Sequence, residues 1–140
     1  MAKRILVIED NPTNLELMTL LLEAYDYTVV AAKGGAEGIA LTRQEKLDLI
    51  ICDVQMPGVD GYEVARYLKR DPMLRGIPLV AVTALAMVGD REKVLAAGFD
   101  GYIDKPITPE VFGNQVAAFM DRKGKLTEER NRRLDESRAQ

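Results

Sequence analysis

Short apolar runs rich in β-branched residues alternate along the chain with longer stretches in which apolar residues recur at helical spacing. The first run, Arg4 to Ile8, is apolar after its arginine, as expected of a strand that is buried on both faces. Similar runs follow at Thr28 to Ala32, Leu49 to Cys52, Ile77 to Val82 and Gly101 to Asp104. The pattern therefore predicts five short strands.

The segments between the strands carry the start and stop signals of helices. Asn11 and Pro12 suit the N-cap and first turn of a helix, whose apolar positions would be Leu15, Met18, Leu22 and Tyr25. Further helices are predicted from Gly34-Gly35 to Lys46, Tyr62 to about Arg70, Asp90 to Ala97 before Gly98, and Pro109 through Met120. Strict alternation predicts an α/β fold, a doubly wound five-stranded parallel sheet covered by helices on both faces in a three-layer sandwich.

The 140 residues are enough for one domain, and their charge is unevenly distributed. Residues 122–140 hold seven basic and four acidic side chains, a net +3; because the whole chain carries −3, residues 1–121 carry −6. We predict a folded domain over 1–121 and a charged tail over 122–140 that is either mobile or a helical extension. An acidic domain disfavours nucleic-acid binding, and no apolar run suits a signal peptide or a membrane span. We expect a soluble cytoplasmic protein, a monomer or weak dimer.

The residue types that are missing exclude several kinds of site. The chain has no histidine, so it cannot form a Ser-His-Asp triad, a histidine-ligated zinc site or a phosphohistidine of its own. Its one cysteine, Cys52, rules out an internal disulfide and a cysteine zinc cluster. Because Cys52 lies inside a predicted strand, we interpret it as a small core residue.

Chemically useful side chains follow four of the five predicted strands. Glu9 and Asp10 follow the first strand, Asp53 the third, Thr83 the fourth and Lys105 the fifth. The carboxyl ends of parallel strands meet at one edge of the sheet, where α/β proteins bind ligands, so we expect these side chains to share a site. Three neighbouring carboxylates repel one another, which raises the pKa of at least one of them unless a cation lies among them. Oxygen ligands without thiolate or imidazole favour Mg²⁺, with Mn²⁺ as the alternative.

This set of side chains suits phosphoryl transfer to an aspartate. Asp53 is the best nucleophile because it stands alone at the end of a central strand, and its product would be an aspartyl phosphate. The metal ligands would be acidic side chains and one backbone carbonyl, those of Glu9, Asp10, Asp53 and Gln55. The phosphoryl oxygens would meet one ammonium, one hydroxyl and one backbone N–H, those of Lys105, Thr83 and Ala84.

Each of these residues also has a structural explanation when it is considered singly. Asp10 or Asn11 can cap the first helix, Asp53 can begin a turn, and Thr83 is an ordinary β-branched strand residue. The functional interpretation depends on their joint occurrence at the one edge where this fold places a site.

The same stretches resemble the receiver domain of two-component response regulators, over about residues 3–121. The matching segments are RILVIEDN, DLIICDVQMPGVDG, AVTALA and DGYIDKPI. The resemblance implies the strand order 2-1-3-4-5 of a flavodoxin-like sheet. Along AVTALAMVGD the chain is similar to single-domain regulators of the DivK type.

The resemblance implies a phosphoacceptor signalling protein rather than an enzyme with an external substrate. Asp53 would accept a phosphoryl group from the phosphohistidine of a histidine kinase or a histidine phosphotransfer protein. Thr83 and Tyr102 would be the switch pair that changes the surface of the fourth helix, fifth strand and fifth helix, where a downstream protein would bind. The peptide between Lys105 and Pro106 would be cis.

Two forms of this function remain open. The chain is either a stand-alone regulator or the receiver fragment of a larger hybrid kinase or effector-bearing regulator. Met1 immediately before the first strand favours the stand-alone form, and reading the gene beyond Gln140 distinguishes the two.

Overall fold

The computed structural model describes residues 2–84 and 87–121, which form an α/β structure with five strands. The strands are β1 (Arg4–Ile8), β2 (Thr28–Ala32), β3 (Leu49–Asp53), β4 (Leu79–Thr83) and β5 (Gly101–Asp104). All strand pairs are parallel and the order is β2-β1-β3-β4-β5. This confirms the predicted fold class and strand order.

The helices are α1 (Pro12–Glu23), α2 (Gly35–Gln44), α3 (Gly61–Arg70), α4 (Asp90–Ala97) and α5, which runs over 109–121 up to the limit of the described residues. Helices α1 and α5 cover one face of the sheet and α2, α3 and α4 cover the other. No helix in the described part of the chain is long and apolar enough to cross a membrane. The tail predicted over 122–140 lies outside the described residues.

Both faces of the sheet are buried because alternate strand residues point to opposite sides. In β1, Ile5 and Val7 pack under α1 and α5, whereas Leu6 and Ile8 pack under the other three helices. The strand interiors are therefore apolar throughout, as the sequence predicts. Polar chemistry is confined to the strand ends and the loops that follow them.

The structure shifts three predicted strand boundaries, one of which is the end of β4, at Thr83 rather than at Val82. β3 includes Asp53, which pairs with Val82 of β4. β4 begins at Leu79 rather than at Ile77, because the Ile77 N–H donates to the Leu74 carbonyl in a turn (3.0 Å) and Pro78 has no N–H. The predicted start of β4 at Ile77 was wrong, because an apolar run does not show where the hydrogen bonds to the neighbouring strand begin.

Helix boundaries differ from prediction by a few residues. α1 ends at Glu23, so Tyr25 lies beyond it and is exposed, although it continues the apolar spacing. α2 ends at Gln44 rather than Lys46, because Glu45 is extended (φ −116°, ψ 145°). α3 begins at Gly61, capped by the Asp60 carboxylate, which accepts from the Glu63 N–H (2.9 Å).

Gly61 fixes the loop between β3 and α3. A Cβ at this position would lie 2.5 Å from the Asp53 carbonyl oxygen and 2.6 Å from the Val54 Cα, both backbone atoms. The Gly61 N–H also donates to the Val54 carbonyl (3.0 Å). The loop that follows Asp53 can therefore pack this closely only against a residue without a side chain.

We expect Gly61→Ala to destabilise the protein by about 1–3 kcal/mol, because the backbone must move to relieve the overlap. The matched control is Gly76→Ala, where an added Cβ meets nothing within 4 Å, and we expect a change within about 0.5 kcal/mol. Urea unfolding of the two variants measures the difference. Equal midpoints would show that the loop adjusts freely.

Candidate functional site

The carboxyl ends of β1 and β3 bring three acidic side chains together. The register of the two strands pairs Ile8 with Cys52, so Glu9 and Asp53 follow at the same level. Carboxylate oxygens of Glu9, Asp10 and Asp53 all lie within 4.8 Å of one another. The acidic cluster expected from the sequence is therefore present.

Lys105 reaches this cluster from the end of β5. Its Nζ lies 3.0 Å from Asp53 Oδ1 and 3.9 Å from Glu9 Oε1. The Lys105 backbone N–H donates to the Thr83 carbonyl (3.0 Å), which ties the start of this loop to β4. The following peptide, to Pro106, is cis, as the resemblance implies. One ammonium group thus lies within 4.0 Å of two of the three carboxylates.

The two members of the acidic pair differ sharply in burial. The Glu9 side chain is fully buried and Asp53 is 2% exposed, whereas Asp10 is exposed. Both carboxylate oxygens of Glu9 are buried without a hydrogen-bond partner among the described residues. Burying a carboxylate without a hydrogen-bond partner costs free energy. A cation or a water molecule bound to these oxygens would offset that cost.

Burial raises the pKa of Glu9 to about 8, and the neighbouring Asp53 carboxyl adds to this shift. The Asn14 side chain and, more weakly, Lys105 oppose the shift but do not offset it. Three anions and one cation therefore do not balance, and without a bound metal ion the protonated form of Glu9 is favoured. Crowding by Asp53 contributes to this shift, as expected, but burial is its largest cause.

A cavity of about 510 Å³ opens where β3 and β4 end, and its lining includes Val54 and Gln55, the two residues that follow Asp53. Gln55, Thr83 and Ala84 line it, together with side chains of α3 and α4. The Gln55 N–H donates to Asp53 Oδ1 (3.1 Å), so this amide orients the carboxylate. A small group attached to Asp53 would have room here, next to the hydroxyl of Thr83.

Tyr102 lies on the same face of the sheet as Thr83. β4 and β5 pair Ala81 with Tyr102 and Thr83 with Asp104, and residues two apart in a strand share a face. The Tyr102 side chain is half-buried, and it packs on the core layer covered by α2, α3 and α4. The structure thus places the expected switch pair on one face, in neighbouring strands.

Comparison with known proteins shows the family of this chain. A family model described as a response regulator receiver domain matches residues 5–117. The chain belongs to this family.

Two kinds of relative resemble this receiver domain. The polar-differentiation response regulator DivK of Brucella anthropi is 40% identical over 120 residues, which are 86% of this chain and 98% of that protein. The receiver domain of a signal transduction histidine kinase from Syntrophus aciditrophicus is 36% identical, with a TM-score of 0.79 over 86% of this chain and 91% of that one.

A third relative is relevant to the metal. The receiver domain of the sensor histidine kinase PA1611 from Pseudomonas aeruginosa is 29% identical, with a TM-score of 0.78 over 86% of this chain and 99% of that one. Its crystal structure has a magnesium ion coordinated in the active site cleft.

The donor set of this receiver domain fits a hard divalent cation. Its clustered ligand atoms are carboxylate oxygens, with no thiolate or imidazole in the described part of the cluster, and such donors favour Mg²⁺. The unpartnered oxygens of Glu9 are the observation that favours occupancy by a cation. Asp10 and Asp53 are the other residues that could hold it.

Sequence reasoning missed two basic residues of this receiver domain that lie close to the site. Lys93 of α4 lines the cavity beside Asp53, with its Nζ 4.7 Å from the centroid of the Tyr62 ring. The guanidinium carbon of Arg91 lies 5.6 Å from the centroid of the Tyr102 ring. No spacing in the sequence links these pairs, because each joins two separate elements of the fold.

Proposed function

We propose that this receiver domain accepts a phosphoryl group on Asp53 from the phosphohistidine of a histidine kinase or a phosphotransfer protein. A carboxylate oxygen of Asp53 forms the new P–O bond as the P–N bond of the donor breaks, and the electron pair of that bond goes to the imidazole nitrogen. The observation that carries the proposal is the cluster of three carboxylates within 4.8 Å, with Lys105 Nζ 3.0 Å from Asp53.

The residues around Asp53 divide the work of this reaction. The Gln55 N–H holds the carboxylate in place, and Lys105 is close enough to follow the transferred charge from Asp53 to a phosphoryl oxygen. Thr83 and Ala84 line the cavity, and the Thr83 hydroxyl and the Ala84 N–H would donate to the other phosphoryl oxygens.

A bound Mg²⁺, held by Asp10, Asp53, the Gln55 carbonyl and Glu9, directly or through water, would neutralise the phosphoryl oxygens during transfer. Without such a cation, a phosphoryl group would bring −1.5 to −2 charges into a site that already has more acids than bases. Among the described residues, Lys105 is the one whose ammonium lies within 4.0 Å of these carboxylates, and one positive charge does not offset the added phosphoryl charge.

We further propose that phosphorylation controls docking of a protein partner on the surface of α4, β5 and α5. Seven large apolar side chains are exposed in the described part of the chain, and four of them lie on or next to α4 and α5: Met87, Val88, Leu95 and Val111. Exposed apolar groups of this kind are typical of protein-binding surfaces. The signal from Asp53 would reach them through Thr83 and Tyr102.

Labelling tests the proposed function. The protein is incubated with a small acyl phosphate or a phosphorylated histidine kinase, with Mg²⁺ or with a chelator, and its peptides are mapped by mass spectrometry. We expect one phosphoryl group on the peptide that contains Asp53, only when Mg²⁺ is present. A label on another residue, or an equal label with chelator, would contradict the proposal.

The same assay tests the metal ligands. Asp10→Asn removes a ligand charge but keeps the shape of the side chain, and we expect Mg²⁺ to bind roughly tenfold more weakly or worse. The labelling rate should recover as Mg²⁺ is raised. An unchanged metal titration would remove Asp10 from the ligand set.

The stand-alone form and the larger-protein form of this function both have precedents among the relatives. DivK is matched over nearly its full length, whereas the Syntrophus and Pseudomonas domains are receivers of histidine kinases. The higher identity to DivK supports the stand-alone form, and the gene sequence on either side of this segment decides between them.

A further inference from the structure

Helix α4 has few interactions that hold it in place. It has eight residues, of which Val94 is buried. Its flanking residues, Gly89 (φ 94°) and Gly98 (φ 115°), both adopt the left-handed backbone conformation. Gly89 provides no side-chain cap. Such a short helix has little apolar area to anchor it, so polar contacts at its sides weigh more in its position.

Two cationic side chains of α4 reach tyrosines on its two neighbours. Lys93 lies over the Tyr62 ring of α3 at 4.7 Å, and Arg91 lies over the Tyr102 ring of β5 at 5.6 Å. Residues two apart in a helix point in different directions, so the two contacts hold α4 from opposite sides. Both distances are within the range of cation–π attraction.

Arg91 has no competing ion pair within the described ranges, since no carboxylate oxygen of those residues lies within 4.0 Å of its guanidinium. Its aromatic partner, Tyr102, is only half-buried, so the ring has one side against the core and one side available to the guanidinium. The attraction stabilises the half-exposed position of the Tyr102 ring, because the guanidinium belongs to α4, on the solvent side of the ring.

We propose that Arg91 is a positioning residue for Tyr102, which holds the ring in its half-exposed position and so couples the ring to α4. The inference rests on the proposed function for its biological meaning, since Tyr102 matters there as half of the switch pair. If the ring instead turned inward, towards the core, it would lose this attraction, so removing the cation destabilises only the half-exposed position. The inward-to-outward ratio of the ring should then rise about two- to fivefold.

The test measures exposure of the Tyr102 ring with no phosphodonor present. The protein is labelled with 3-fluorotyrosine at its five tyrosines, and the Tyr102 signal is assigned with Tyr102→Phe. A soluble paramagnetic reagent then broadens the ¹⁹F signals of exposed rings. In Arg91→Gln we expect less broadening of the Tyr102 signal than in the wild type, and in Arg91→Lys, which keeps a cation, we expect partial recovery.

Lys93→Gln is the matched control, because it removes the cation–π contact on the other side of α4. We expect it to change the Tyr62 signal and to leave the exposure of Tyr102 nearly unchanged. The proposal is overturned if Tyr102 has the same exposure in Arg91→Gln as in the wild type, or if Lys93→Gln changes it equally. If no variant and not even the wild type could be phosphorylated, the proposed function would be refuted. The proposal for Arg91 would still stand, because the exposure of the ring is measured without a phosphodonor.

Discussion

Asp53→Asn is expected to reduce phosphoryl labelling to the level of a blank without Mg²⁺. The amide keeps the size of the carboxylate, and its oxygen can still accept from the Gln55 N–H, which Asp53 Oδ1 does at 3.1 Å. What is lost is the anionic nucleophile itself, which a neutral amide cannot replace. Radiolabel from a small acyl phosphate, with Mg²⁺ present, measures the effect.

The fold should survive this change. Asp53→Asn removes the ion pair to Lys105 (3.0 Å), but it also relieves the repulsion that helps to raise the pKa of Glu9. The two effects oppose each other, so we expect a small change in urea midpoint. If the variant were unfolded, its loss of labelling would say nothing about Asp53. An unchanged urea midpoint excludes that explanation.

The matched control is Asp104→Asn. Asp104 is another carboxylate at the same edge of the sheet, paired in register with Thr83 but outside the acidic cluster. We expect this variant to be labelled like the wild type. If Asp53→Asn retains its label, or if Asp104→Asn loses it equally, Asp53 is not the acceptor.

The placement of the site could be predicted because topology, rather than side-chain packing, determines it. Glu9, Asp53 and Lys105 follow strands whose buried cores are clear from their apolar runs, and parallel strands deliver their carboxyl ends to one edge. The order of the strands in the sheet could not be predicted in this way. Apolar runs do not show which strand pairs with which, so that prediction depended on the family resemblance.

The electrostatics of the site could not be read in the same way. Glu9 and Asp10 are neighbours in the sequence, yet one is fully buried and the other is exposed. The difference depends on how the β1–α1 loop leaves the sheet. Likewise, the contact of Arg91 with Tyr102 depends on the rotation of α4 about its axis, and that rotation is set by packing rather than by a sequence spacing.

The buried Glu9 should make the metal-free protein less stable as the pH rises from about 5 to about 8. Its pKa is raised from 4.5 to about 8 in the folded state, mainly by burial, so in this window the folded protein holds a proton that the unfolded chain has lost. Stability then falls with rising pH, because the native state binds more protons than the unfolded state. The contribution is fully present below the unfolded pKa and is lost as pH passes through the folded one. Its slope approaches about 1 kcal/mol for each pH unit.

Glu9→Gln isolates this contribution, because the amide has nearly the same shape and does not titrate. We compare urea unfolding of the wild type and the variant, both with chelator, at intervals from pH 5 to pH 8.5. The variant should match the wild type more closely at pH 5 and exceed it by several kcal/mol near pH 8, on the order of 3. Curves that run parallel across the window would show that Glu9 titrates normally. Adding Mg²⁺ at pH 8 should stabilise the wild type more than the variant, since a cation ligated by Glu9 offsets the charge that burial penalises.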